Sequence, residues 1–229
     1  SLIPPSNCPE GQLLGGMSDV EALDLNDLNG IAEEEILKAE ELIATATPPD
    51  EELCEGALKE VGEMEDRRRT LHTTLKLRFM TLGYPEDEPY DFVTRLWSRL
   101  EEGELKSKPG QICDKFGRRC VDAGKLLSDL REYMSLTAKS RRRVLDVAYL
   151  CRDVTPPACE EEIRELVEDL DRLWSFPVNP NRAMRDLTEL AEEEPERFKE
   201  ALEAWLDFRY DSYRVRRCAL RWVRGEEIL

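Results

Sequence analysis

The sequence has few of the residues on which catalytic and metal sites depend. It contains one histidine, His72, and no two cysteines separated by two residues, so the closely spaced ligands of structural zinc are lacking. The stretch RTLHTTL around His72 offers neither an orienting acceptor nor a nucleophile. Glycine-rich phosphate-binding motifs and a G-x-S-x-G motif are also absent. We therefore predict no catalytic, cofactor-binding or metal site, and expect that the protein is not an enzyme.

Long apolar runs are missing as well. No uninterrupted run approaches the roughly 18 residues that span a bilayer, and no basic leader followed by an apolar stretch opens the chain. We expect a soluble protein without membrane contact.

The seven cysteines are odd in number and widely spaced, and no secretory signal accompanies them. This pattern favours free thiols in a reducing compartment, so we expect an intracellular protein, cytoplasmic or nuclear. If Cys113 and Cys120 lay on one helix, about 10 Å of rise would separate them, which is too far for a disulfide.

Charge is distributed very unevenly along the chain. The net charge is −17, and residues 1–66 hold 18 acidic residues and two lysines, a balance of −16. The remaining 163 residues hold 31 basic and 32 acidic residues, a balance of −1. We predict an acidic N-terminal third, able to screen basic clusters, followed by an electrically balanced body.

Apolar residues recur at helical spacing through most of the chain. The clearest line comprises Leu53, Ala57, Val61, Met64, Arg68, Leu71, Leu75, Phe79 and Leu82, and it is apolar except at Arg68. A further tract from Gln111 to about Leu136 places Phe116 and Cys120 on the buried side of a helix, and another helix follows it. We predict an all-α fold, a compact multi-helix bundle of about seven or eight helices.

The domain organisation follows from glycine and proline content. Residues 1–30 carry four of the twelve glycines and show no sustained period, which predicts an extended or loosely ordered acidic arm. Helical periodicity begins at Ile31, and we expect residues 31–229 to form a single helical domain. Breaks near 104–110 and 153–158 would allow that domain to be subdivided.

The stretch EDEPYDFVTRL, Glu86 to Leu96, resembles the major homology region of retroviral capsid proteins. In both, an acidic residue precedes an aromatic residue, then arginine and an apolar residue. The chain departs from that region at Tyr84 and Pro85, where the capsid motif has Gln-Gly. The resemblance implies a lattice-forming subunit.

Arginines form several clusters that could contact a partner. The candidate interaction residues are Arg67, Arg68, Arg69, Arg141, Arg142, Arg143, Arg214, Arg216, Arg217 and Trp222. Arg68 interrupts the apolar line, so we expect either a buried hydrogen-bonded acidic partner or a stem lying along apolar neighbours with its head in solvent. Aromatic residues between the last arginines would suit single-stranded nucleic acid.

The function that these patterns favour is non-catalytic. We expect a helical adaptor, regulatory or scaffold protein that binds other proteins. The alternative is a structural or assembly subunit, capsid-like or nucleoprotein-like, or a nucleic-acid-associated protein that uses its arginine clusters. The sequence predicts neither a cofactor nor an oligomeric state.

Overall fold

The structure is a computed structural model, and it describes residues 50–84, 92–154 and 158–226. The predicted acidic arm at 1–30 and the predicted helix from Ile31 lie outside these residues.

The described residues form six helices and one three-stranded sheet. In chain order these are α1 (Glu51–Thr81), α2 (Phe92–Glu101), β1 (Leu105–Lys108), β2 (Gln111–Asp114), β3 (Cys120–Asp122), α3 (Ala123–Leu150), α4 (Glu160–Trp174), α5 (Ala183–Glu193) and α6 (Pro195–Arg224). The predicted helical character is confirmed. The predicted exclusion of strands is wrong, and the described helices number six rather than seven or eight.

Helix α1 buries the apolar line that the sequence predicts. Leu71, Leu75 and Phe79 are almost completely buried, whereas Leu53, at the start of the helix, is 51% exposed. Arg68 is only 9% exposed, so the line continues through a buried cation. Burying a cation requires hydrogen-bonding partners, because an unpaired charge in the interior costs several kcal/mol.

The predicted helix from Gln111 to about Leu136 is wrong in its first half. Residues 105–122 form an antiparallel sheet in the order β1-β2-β3. Gly110 and Gly117 have positive φ angles of 72° and 68°, which only glycine adopts freely, and they lie in the two turns that connect the strands. Helix α3 then runs through Thr137 and Ser140 without a break, because no proline or glycine interrupts it after Gly124.

The chain divides into two compact units, each with its own hydrophobic core. In the part of the chain that the structure describes, residues 67–137 belong to one unit, and residues 50–66 and 138–226 belong to the other. The first core includes Leu75, Phe79 and Leu126. The single domain expected for residues 31–229 stays a prediction.

The core of the second unit includes Leu166 and Leu170 of α4 and extends to α1, α3, α5 and α6. Gly62 lets α1 approach α6 closely, because a Cβ atom at this position would collide with the carbonyl oxygen of Ala219. Within residues 50–84, 92–154 and 158–226, no helix combines the length and the apolar character needed to cross a membrane.

The cysteines correct the prediction of free thiols. Six of the seven form three disulfides, Cys54–Cys151, Cys113–Cys120 and Cys159–Cys218. Cys113 and Cys120 lie on neighbouring strands rather than on one helix, so their Cα atoms are 4.0 Å apart. Cys8 lies outside the described residues.

Candidate functional site

The loop that joins β2 to β3, residues 113–120, is closed at its base and ordered internally. Cys113 and Cys120 face each other in the ladder and are disulfide-bonded. The backbone N–H of Asp114 donates to the carbonyl oxygen of Arg119 at 2.9 Å, and that of Gly117 donates to the carbonyl oxygen of Asp114 at 2.9 Å. Short disulfide-closed loops of this kind hold one conformation, which reduces the entropy lost on binding.

The side chain of Asp114 organises the tip of the 113–120 loop. Its Oδ1 accepts the backbone N–H of Phe116 at 3.2 Å and that of Arg118 at 2.8 Å. The hydrogen bond from the Arg118 backbone lowers the pKa of the Asp114 carboxyl below its usual value, which keeps the group ionised. The carboxylate thus stabilises the turn by accepting backbone hydrogen bonds, in an Asx-type arrangement.

Phe116 projects from the tip of the loop and is 70% exposed. The Nζ of Lys115 lies 5.0 Å and the Cζ of Arg118 lies 5.8 Å from the centre of its ring, both within cation–π range. The prediction that Phe116 faces a helical core is therefore wrong. An exposed aromatic ring between cations leaves an apolar group available for a partner.

Basic residues outnumber acidic ones in the sheet and loop that carry this ring. Residues 105–122 carry two acidic residues, Asp114 and Asp122, and five basic residues, Lys106, Lys108, Lys115, Arg118 and Arg119. Asp122 accepts the backbone N–H of Lys125 at 2.8 Å and so begins α3. The hairpin is therefore electropositive within a chain whose net charge is −17.

The arginine triplet on α1 separates into different environments. Arg67 is exposed and forms two hydrogen bonds with the carboxylate of Glu132, at 2.7 and 3.0 Å. This pairing lowers the pKa of Glu132. Arg68 is buried, donates to the Tyr133 hydroxyl at 2.9 Å and lies 5.6 Å from the centre of that ring, while Arg69 is half-buried. His72 is half-buried beside them, its ring 6.4 Å from that of Tyr133.

Arg68→Ala is expected to lower the free energy of unfolding by about 2 kcal/mol or more, because it removes a buried side chain together with its hydrogen bond to the Tyr133 hydroxyl. Arg67→Ala serves as the matched control and should leave the denaturation midpoint almost unchanged, since exposed ion pairs contribute little. Urea unfolding followed by circular dichroism measures both. Equal midpoints for the two variants would show that Arg68 lies on a solvated face.

In the second arginine cluster, residues 141–143, one arginine is engaged in ion pairs within the chain. Arg143 bridges Glu60 and Asp146, donating to each at 2.7 Å, and Asp146 is almost completely buried. Burial raises the pKa of Asp146. Arg142 is half-buried, and Arg141 is exposed.

The third cluster lies on α6. Arg214 pairs with Glu165 of α4 and with Asp211. Arg217 is exposed, with its Cζ 5.9 Å from the ring centre of Tyr213. Arg216 is half-buried, and Trp222 packs against the core of the second unit. The predicted candidates therefore remain on three separate helical segments, and none belongs to the 113–120 loop.

A pair of carboxyl groups lies between α4 and α6, close to Arg214. Asp169 and Asp211 are mostly buried and lie close to each other. Burial, followed by this contact with Asp211, raises the pKa of Asp169 to about 8. Arg172 lies 3.7 Å from Asp169 and compensates the charge only in part. We therefore expect the packing of α4 against α6 to depend on pH.

Comparison of the chain with protein-family models, with characterised proteins and with solved structures finds no match. Among the described residues, no group of three or more histidine, cysteine or acidic side chains is placed to hold a metal ion. The stretch with the capsid resemblance lies largely outside the described residues, which resume at Phe92.

The 113–120 loop could have been found from two signals in the sequence. Pro109-Gly110 is a turn dipeptide, and Gly117 marks a second turn seven residues later. The strands next to these turns are three or four residues long, too short for apolar and polar residues to alternate visibly.

Proposed function

We propose that this chain is a non-catalytic protein-interaction protein, acting as an adaptor, regulatory or scaffold protein, and that it binds an acidic protein partner through the 113–120 loop. The observation that carries the proposal is the exposure of Phe116 at the tip of a loop fixed by the Cys113–Cys120 disulfide. Hot spots of protein interfaces are aromatic and arginine side chains that enter a pocket and lose water. A partner with an apolar pocket bordered by carboxylates complements this tip.

Electrostatics also favours an acidic partner segment over an extended anionic surface. The basic residues are concentrated in 105–122, whereas the whole chain carries −17 and would be repelled by an extended anionic surface. A short acidic segment of a partner protein could contact the loop alone, where the local charge is positive. Since exposed charges are screened over about 8 Å at physiological salt, this local charge governs the contact.

Selection from a random peptide library against the full chain tests the proposal. The enriched peptides should combine acidic residues with a large apolar residue. Their affinity should fall at least about ten-fold for Phe116→Ala, because the loss of a central aromatic anchor costs about 2 kcal/mol or more. Because Phe116 is 70% exposed, the variant should keep its denaturation midpoint.

Leu77→Ala provides the matched control, since Leu77 is 58% exposed on α1, outside the loop. It should bind the selected peptides as the unchanged chain does. Peptides without acidic residues, or peptides that bind Phe116→Ala equally well, would contradict the proposal. Failure to enrich any peptide would count against it as well.

The alternative, a nucleic-acid-associated protein or assembly subunit, has less support from the arginine clusters. Arg67, Arg143 and Arg214 each pair with acidic side chains of another helix. A phosphate would have to compete with these carboxylates for the same guanidinium groups.

Two further parts of the proposal concern location and packing. An intracellular location, cytoplasmic or nuclear, rests on free thiols, and disulfides are rare in those compartments. The three disulfides therefore support a proposal that the protein resides in an oxidising compartment. We also propose that the helices of the second unit form a compact bundle, supported by the apolar core that α4, α5 and α6 share.

A further inference from the structure

Helix α6 carries a line of exposed apolar and aromatic side chains on the side away from its core contacts. Leu206, Tyr210 and Tyr213 are 48%, 64% and 41% exposed. They recur at intervals of four and three residues, so they share one face of the helix. The opposite face, with Ala204 and Phe208, is buried in the second unit. An uncovered apolar line on an otherwise charged helix indicates a contact surface.

Charge changes sign along the same helix. From Pro195 to Phe208, α6 has four acidic and two basic residues, and from Arg209 to Arg224 it has one acidic and six basic residues. The change falls close to Tyr210, in the middle of the exposed line. A helix with this pattern is complementary to a second copy of itself that runs in the opposite direction, and a parallel arrangement would oppose like charges.

We propose that the occupant of this face is a second copy of the chain, with the two α6 helices antiparallel and related by a two-fold axis near Tyr210. Two-fold contacts are self-complementary, so each residue pair occurs twice. Glu203 and Arg217 lie seven residues on either side of Tyr210 and are both exposed. Each Glu203 therefore faces Arg217 of the second copy, and the tyrosines pack at the centre.

The side chains of Glu203 and Arg217 are available to pair with a second copy of the chain. Neither Glu203 nor Arg217 forms an ion pair with any residue that the structure describes. Arg214, by contrast, is held by Glu165 and Asp211. The acidic half of α6 disfavours nucleic acid on this face, because Glu203 and Asp207 would repel phosphate next to the exposed aromatic rings.

Sedimentation velocity of the full chain tests the dimer and its centre. The unchanged chain should be dimeric, and Tyr210→Glu should be monomeric, because two like charges would meet at the axis. Met184→Glu is the matched control, since Met184 is 66% exposed on α5 and lies off the line, and it should stay dimeric.

Charge reversal then tests the orientation. Glu203→Arg and Arg217→Glu should each raise the dissociation constant at least about ten-fold, because each variant opposes like charges twice. An equimolar mixture of the two variants should recover the dimer, since the introduced arginine of one chain then faces the introduced glutamate of the other. A variant that dissociated because it folds poorly would not be rescued by mixing.

Three results would overturn the proposal. These are a monomeric unchanged chain, a mixture of the charge variants that stays monomeric, and a dimer that Tyr210→Glu leaves intact. Binding of a single-stranded oligonucleotide that Tyr210→Glu abolishes would assign the face to nucleic acid instead.

Discussion

Replacement of Cys54 and Cys151 by alanine is expected to lower the free energy of unfolding by about 4 to 5 kcal/mol, because the bond closes a long loop and restricts the unfolded chain. The two cysteines are separated by 97 residues, and both side chains are buried. A loss of this size is a large part of the roughly 5–15 kcal/mol that stabilises most domains. Guanidinium unfolding under non-reducing conditions measures it.

The Cys113–Cys120 bond is the matched control, since it spans only seven residues. Its replacement by alanine should cost about 2 kcal/mol on the same chain-entropy argument. Equal losses for the two pairs would contradict the dependence on loop length. Thiol titration of the denatured, unreduced chain should recover no more than one thiol, and recovery of seven would show that none of the bonds exists.

Asp169→Asn is expected to stabilise the protein at alkaline pH by roughly 3 kcal/mol and to leave it almost unchanged below about pH 4. The folded-state pKa of Asp169 is about 8, far above the value of 3.8 for an exposed aspartate. Folding therefore takes up a proton between those two values. The protonated Asp169 carboxyl contributes fully to the free energy of unfolding below about pH 4, and this contribution is lost as the pH rises through about 8.

Asparagine keeps the side chain neutral at every pH, so the variant should not lose this stability as the pH rises. Urea midpoints of the two proteins should coincide near about pH 3.5, separate progressively as the pH rises, and differ most by about pH 9. Asp207→Asn is the matched control, because Asp207 is 58% exposed and pairs with Arg172 at 2.5 Å. It should not reproduce the alkaline gain. Parallel pH profiles for the original chain and Asp169→Asn would show that the Asp169 carboxyl is ionised throughout.

The sequence predicts the helices well where periodicity is sustained. Helix α1 buries most of the residues that its spacing selects, although Leu53 at its start is exposed. Periodicity fails at residues 105–122, because two turns occur within a few residues and the strands are short. The prediction that puts Phe116 on a buried helix face is wrong for that reason.

The contacts of the arginines could not be predicted from their clustering. Arg67 pairs with Glu132, which lies 65 residues away in the sequence, and Arg143 pairs with Glu60, which lies 83 residues away. Such pairs depend on how helices pack, and no local pattern contains that information. The disulfide partners depend on the same packing, so an odd number of cysteines at wide spacing is a poor guide to their oxidation state.

The two long-range disulfides determine what a protease would release. A cut between Cys54 and Cys151, or between Cys159 and Cys218, leaves both pieces joined by the bond that spans it. A cut at 152–158 falls between the two bonds, and neither of them spans it. The resulting two-chain protein would be held together by packing such as that of α1 on α6 at Gly62, and its chains would separate on a denaturing gel without reductant.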